Sequence, residues 1–196
     1  MRITGGSARG RRLVAPKGSS VRPTADFIRE ALFQILTNCM TVRWTDVCVA
    51  DLFAGTGALG LEALSRGAKE VVFVESTWAA IDAVKRNVES CGFLSRAMLI
   101  RADASRMSGA VSDFIRQKGR FDIIMADPPY MQGLSQKTLS WVAEEGVLGP
   151  GGVMIVEEFK KAMLPQRIGR TVDDGLESFD ARVYGQTGLW FYKRWG

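Results

Sequence analysis

Apolar and polar positions recur along this chain with two periods, and each change of period marks an element. Val47 to Leu52 is a short apolar run rich in β-branched residues, which reads as a buried strand. Similar runs at 70–75, 97–101, 121–126 and 152–157 predict further strands. Between them apolar residues return at helical spacing over roughly 58–66, 78–91, 106–118 and 135–146. Ahead of the first strand, Phe27/Ile28, Ala31/Leu32 and Ile35/Leu36 recur every four residues and predict a helix, with Thr24 placed to cap it and Asp26 in its first turn. Two last strands, about 179–184 and 188–193, flank Gly185-Gln186-Thr187-Gly188 and predict an antiparallel hairpin, in which Leu189, Trp190, Phe191 and Tyr192 read as packing residues. Strands alternating with helices in this way predict an α/β fold, a mostly parallel sheet with helices on both faces. Residues 1–23 break both periods at Gly5-Gly6, Gly10 and Pro16 and read as a basic extended segment forming a short hairpin or loop.

Composition adds constraints without changing that picture. At 196 residues, with 46% hydrophobic and 24% charged, the chain suits one large domain or one domain with a small appendage. No apolar run approaches the roughly 18 residues of a membrane span, and the first residues carry no apolar stretch of a secretion signal. Cys39, Cys48 and Cys91 are scattered, fit no zinc spacing or disulfide framework, and point to a cytoplasmic protein; Cys48 reads as a core residue. There is no histidine, so imidazole-based catalysis and imidazole metal sites are excluded and no metal is expected. The net charge of +5 is uneven. Residues 1–44 carry eight Lys/Arg against two Asp/Glu, or +6, while residues 45–196 carry eighteen against nineteen, or −1. This asymmetry divides the chain into a basic segment, 1–44, suited to a polyanion, and a main domain, 45–196. Arg2, Arg9, Arg11 and Arg12 beside flexible glycines suit phosphate contacts, and Arg22 enters the first helix through Pro23.

The candidate chemistry gathers at strand ends. Gly55, Gly57 and Gly60 form G-x-G-x-x-G where the first strand hands over to a helix, so backbone can press against a ligand. A dinucleotide fits such a turn, with pyrophosphate on the helix N-terminus. S-adenosylmethionine (AdoMet) fits it too, with Asp51 near its ammonium. Glu75, at the end of the second strand, suits the ribose hydroxyls of either. Asp103 follows the third strand and is placed to accept an adenine amino group, or to cap the helix beginning near Ser105. Asp127-Pro128-Pro129-Tyr130 follows the fourth strand and decides between the ligands. Prolines donate no amide hydrogen, which frees the Pro128 carbonyl to face a ligand. With the Asp127 carboxylate and the Tyr130 ring it offers acceptors for an exocyclic amine and a face for its base. Four acids at strand ends agree with ligand binding beyond the carboxyl edge of an open sheet. The reaction implied is methyl transfer from AdoMet to an amino nitrogen. Guanine presents N1–H and N2–H side by side, which one carboxylate accepts together, so Asp127 favours guanine N2; adenine N6 in RNA or DNA is the alternative.

The sequence resembles the bacterial 16S ribosomal RNA guanine-N2 methyltransferases nearly end to end. The likeness runs through Arg2-Ile3, Arg9-Gly10-Arg11, Arg22-Pro23-Thr24, Arg29-Glu30-Ala31-Leu32-Phe33, Asp51 to Ala68, Phe73-Val74-Glu75, Asp127 to Tyr130 and Tyr184-Gly185. Thr77 stands where those proteins usually carry an acid or amide, and Gln34 replaces a frequent asparagine. The resemblance implies a Rossmann-like class I methyltransferase fold and AdoMet as donor. It implies 16S rRNA as partner, for which a small-subunit particle is the expected setting, and nothing in the sequence demands more than a monomer. It carries AdoMet contacts onto Asp51, Phe53, Ala54, Gly55, Thr56, Gly57 and Glu75, with Asp103 and Ala104 completing the set. Target-base contacts fall on Asp127, Pro128 and Tyr130, and RNA contacts on Arg9, Arg11 and Arg22, to which the charge pattern adds Arg2 and Arg12. A nicotinamide-dependent oxidoreductase leaves Asp127 to Tyr130 unexplained. A silent RNA-binding protein leaves the acidic strand ends unexplained.

Overall fold

Strands buried on both faces need mostly apolar residues, and β1 (Cys48–Leu52) and β2 (Glu70–Glu75) meet that need at Val49, Ala50 and Leu52 and from Val71 to Val74, with Asp51 a buried acid among them. The computed structural model describes residues 1–16, 26–39, 43–104, 117, 119–169 and 175–194. Arg22, the cap expected at Thr24, Ser105 and all of the helix expected over 106–118 except Gln117 lie outside the described residues. The chain divides into two compact units, Met1–Ala102 and Asp103–Gly196. The boundary drawn after residue 44 follows charge, whereas this one follows packing.

In the first unit the strands lie in the order β3-β2-β1, with β3 spanning Ala97–Arg101, and both pairings are parallel. Helices α2 (Ala58–Ser65) and α3 (Trp78–Cys91) make the connections. Gly60 sets how close α2 comes, since a Cβ there would lie 2.3 Å from the Phe73 ring. Helix α1 (Asp26–Cys39) buries Ile28, Arg29, Leu32, Phe33 and Leu36.

Every residue of α2 is buried, including Glu62 and Ser65. A helix with no polar face must be covered all round, and the N-terminal segment supplies part of that cover. Its expected hairpin forms, with an antiparallel bridge between Arg2 and Arg12 and an Ile3 N–H to Arg11 carbonyl bond of 3.0 Å. Ile3 is buried. Gly6 passes so near α2 that a Cβ would sit 1.9 Å from the Ser65 carbonyl oxygen.

In the second unit β4 (Phe121–Ala126) pairs in parallel with β5 (Leu148–Phe159), and α4 (Leu134–Glu145) joins them. The order is β4-β5-β8-β7-β6, antiparallel from β5 onward, with β6 at Arg167–Ile168, β7 at Leu176–Tyr184 and β8 at Thr187–Arg194. The terminal hairpin is therefore present and begins earlier than its period suggested. β5 is also longer than expected, because Val153 to Phe159 gains a second ladder along β8. Leu189, Phe191 and Tyr192 are buried and Trp190 is half-buried. Cys48 departs from its expected core position and is half-buried, since it opens β1 at the sheet margin.

Candidate active site

The turn after β1 is held by two carboxylates of the first unit. Asp51 is buried and its Oδ2 accepts the Gly60 N–H at 2.8 Å. Burial pushes its carboxyl up to about 8; the Gly60 N–H opposes that rise and the nearby Glu75 charge adds to it. Glu75 Oε2 accepts the Gly55 N–H at 3.0 Å, while its Oε1 accepts the Ser76 and Thr77 N–H groups at 2.7 and 3.2 Å. One acid thus ties the turn to the helix and the other ties it to the end of β2. Between them Phe53 sits at φ 62, in the left-handed region where a bulky residue is strained. Gly55 takes φ 56, and a Cβ there would meet nothing nearer than 3.9 Å, so its Cα faces open space. That open backbone between two acids fits AdoMet, whose ribose hydroxyls and ammonium seek acceptors. Ala54 and Gly57 close the turn through a 2.6 Å Gly57 N–H to Ala54 carbonyl bond. Thr56 is buried and its carbonyl accepts from Asn87 Nδ2 at 2.8 Å. Thr77 caps α3, accepting the Ala80 N–H at 3.3 Å, a role that explains a hydroxyl at this position.

In the second unit Asp127 is half-buried, Pro128 buried and Pro129 exposed as the chain leaves β4. The Tyr130 hydroxyl donates to Glu157 Oε1 at 2.7 Å and lies 3.1 Å from Thr187 Oγ1. Burial pushes this phenol well above its usual range; Thr187 opposes the rise, and the Glu157 charge adds to it, so Tyr130 stays neutral and its ring is fixed. Met131 follows at φ 63, the second strained bulky residue. Buried Glu158 holds it, with Oε1 accepting the Met131 and Phe159 N–H groups at 3.1 and 2.8 Å and Oε2 accepting Ser135 Oγ–H at 2.8 Å. Asp103 is exposed and Ala104 buried at the start of this unit.

Arg2, Arg9, Arg11 and Arg12 are exposed on the N-terminal hairpin. Ser7 to Arg12 line a shallow concavity of about 370 Å³. The hairpin is anchored by residues the sequence did not single out. Glu62 accepts the Thr4 and Gly5 N–H groups, each at 2.8 Å. Asn87 Oδ1 accepts the Val14 N–H at 2.8 Å, and Asn87 Nδ2 donates to the Val14 carbonyl at 2.9 Å. A signal for Asn87 did exist, since it occupies an apolar-spaced position of α3 between Val84 and Val88. Glu157 and Glu158 also had one, being acids at the carboxyl end of a fifth strand.

Parallel strands, a glycine turn held by the strand-end acids Asp51 and Glu75, and Asp-Pro-Pro-Tyr after the fourth strand define the Rossmann-like class I AdoMet-dependent methyltransferases. The family described as Conserved hypothetical protein 95 matches residues 1–193. The chain is 35% identical over 196 residues, covering all of both proteins, to YlbH of Bacillus subtilis (strain 168), provisionally named an rRNA methyltransferase. It is 33% identical to ribosomal RNA small subunit methyltransferase D of Escherichia coli (strain K12), over 99% of this chain and 90% of that protein. A solved E. coli structure, yhhF, provisionally named a methyltransferase, superposes with TM-score 0.76 at 30% identity, covering 100% of this chain and 98% of that one. The chain belongs to this family, that of Conserved hypothetical protein 95 and the small-subunit rRNA methyltransferases D.

Proposed function

We propose that this chain methylates the exocyclic N2 of a guanine in the 16S rRNA of the small ribosomal subunit. Kinship along the whole chain supports the substrate class, and the locked Tyr130 beside Asp127 and Pro128 supports an amine acceptor. Bound AdoMet supplies an electrophilic methyl on a sulfonium. Glu75 and the Asp51–Gly57 turn hold it, with Phe53, Ala54 and Thr56 shaping the wall and Asp103 and Ala104 at the adenine side. The Asp127 carboxylate and the Pro128 carbonyl accept the guanine N–H groups and keep the N2 lone pair aimed at the methyl. Positioning of this kind supplies about 7–11 kcal/mol of a barrier. The Tyr130 ring stacks the extruded base, worth about 1–3 kcal/mol. No strong base is needed first, because the nitrogen becomes acidic once alkylated. Residues 1–44 serve the RNA, through Arg2, Arg9, Arg11, Arg12 and Arg22, and residues 45–196 serve the chemistry. The substrate is a small-subunit particle in the cytoplasm and the enzyme is a monomer.

The test is mass spectrometric mapping of small-subunit RNA from cells lacking the gene, complemented with wild type or Asp127→Ala. Wild type restores N2-methylguanosine and Asp127→Ala does not, while calorimetry shows S-adenosylhomocysteine still binding the variant. Recovery of N6-methyladenosine instead, or normal methylation by Asp127→Ala, overturns the assignment.

A further inference from the structure

Trp78 opens α3 and is 66% exposed, a large apolar ring left in water at the carboxyl ends of the strands. One face is covered. The Arg101 guanidinium lies over the ring, 4.7 Å from its centroid. Arg101 is the last residue of β3 and the register partner of Glu75 on β2. Among the described residues no carboxylate forms an ion pair with it. Trp78 therefore sits three residues beyond Glu75, a proposed cofactor contact, and Arg101 lies directly across from that same residue on the neighbouring strand. Its chemistry is a flat π surface with a permanent positive charge beside it.

We propose that Trp78 and Arg101 form a stacking platform for an unpaired nucleobase of the RNA flanking the methylated site, a proposal that rests on RNA being the substrate. Indole accepts any base on its open face, and the guanidinium meets an adjoining phosphate. Charge favours RNA over the adenine of the cofactor here. AdoMet carries a sulfonium and an ammonium and gains nothing from a neighbouring guanidinium, whereas each phosphate does. The platform also lies on the helix that holds the arginine hairpin. Asn87, which anchors Val14, is nine residues further along α3, about 14 Å at 1.5 Å per residue.

The experiment measures binding of a labelled single-stranded oligoribonucleotide of mixed sequence to the full chain by fluorescence anisotropy, across a salt series. S-adenosylhomocysteine affinity is measured in parallel. Trp78→Ala weakens RNA binding about ten-fold, Trp78→Phe keeps most of it, and cofactor affinity stays at the wild-type value in both. Arg101→Ala lowers the magnitude of the slope of log K against log salt by about 0.7, the loss of one phosphate contact on a single strand. Unfolding midpoints confirm that the exposed ring was removed without loss of fold. RNA affinity of Trp78→Ala within two-fold of wild type overturns the platform, and so does a loss of S-adenosylhomocysteine binding in its place. A wild-type protein that binds no RNA overturns the platform, while the functional reading stands or falls separately on the mapping of N2-methylguanosine. Tight binding by wild type and Trp78→Ala alike overturns the platform alone.

Discussion

Replacing Glu62 tests whether the arginine hairpin is part of the fold or merely lies against it. The carboxylate is fully buried and divides its work unequally. Oε1 accepts from Thr4 Oγ1 at 2.7 Å, from the Gly5 N–H at 2.8 Å and from Arg66 Nε at 3.1 Å, whereas Oε2 accepts only the Thr4 N–H at 2.8 Å. Glu62→Ala strips all four donors and leaves Arg66 without its ion-pair partner. Breaking one side of a buried pair costs about 3–5 kcal/mol. The loss is capped, however, because residues 1–16 can lift away and let water satisfy the donors. Glu62→Gln is sharper. Its amide oxygen takes the Oε1 position and keeps three donors, while its NH2 faces the Thr4 N–H, donor against donor. One such mismatch costs about 1–3 kcal/mol. Urea unfolding should therefore rank wild type above Gln and Gln above Ala. Hydrogen exchange should show the Thr4 and Gly5 amides losing protection first. A loss under about 1 kcal/mol for alanine with both amides still protected would refute the anchoring role.

Two further perturbations read the strained and buried groups. Asp51 has its carboxyl raised to about 8 against an ordinary 3.8, so the folded state holds a proton that the unfolded state releases. Its contribution to stability is complete below the unfolded value and is lost as pH rises through about 8. The decline is at most about 1.4 kcal/mol per pH unit. Asp51→Asn removes that decline, and parallel stability curves for wild type and variant between pH 5 and 8 would sink the argument. Met131→Gly relieves a left-handed residue costing about 1–3 kcal/mol, against about 0.5–1 kcal/mol of added chain entropy. A net gain near 1 kcal/mol in urea unfolding is expected, and a net loss would show that the turn is not strained.

Local pattern carried most of the fold. The β1–α2–β2 unit was legible because its signals are adjacent: a strand run, three glycines, a helix face. The positions of Asp51, Glu75 and Asp127 were legible for the same reason, each lying at or beside the end of an apolar run. Glu62 was not, because Leu61-Glu62-Ala63 reads like any helix with one solvated acid, and its partners lie 57 and 58 residues away. Glu158 was hidden for a related reason, since it supports a turn 27 residues earlier. Two-residue β6 has no period to detect, and its pairing with β7 is fixed by register and by the 2.8 Å Arg167–Glu177 ion pair. What sequence could not supply was the identity of remote partners, which decides whether a polar residue is surface or keystone.

The hairpin at the start of the chain completes itself on residues made much later. Its last fastening, Val14 on Asn87, spans 73 positions. During translation at about 5–20 residues per second, that interval is on the order of 4–15 seconds. Until Glu62 and Ser65 have also been made, 57 to 60 positions after their partners, the arginine-rich segment has no helix to dock on, next to a ribosome made largely of phosphate. Synthesis itself thus offers the nascent enzyme an early, nonspecific encounter with polyanions, and docking onto α2 and α3 is what ends it.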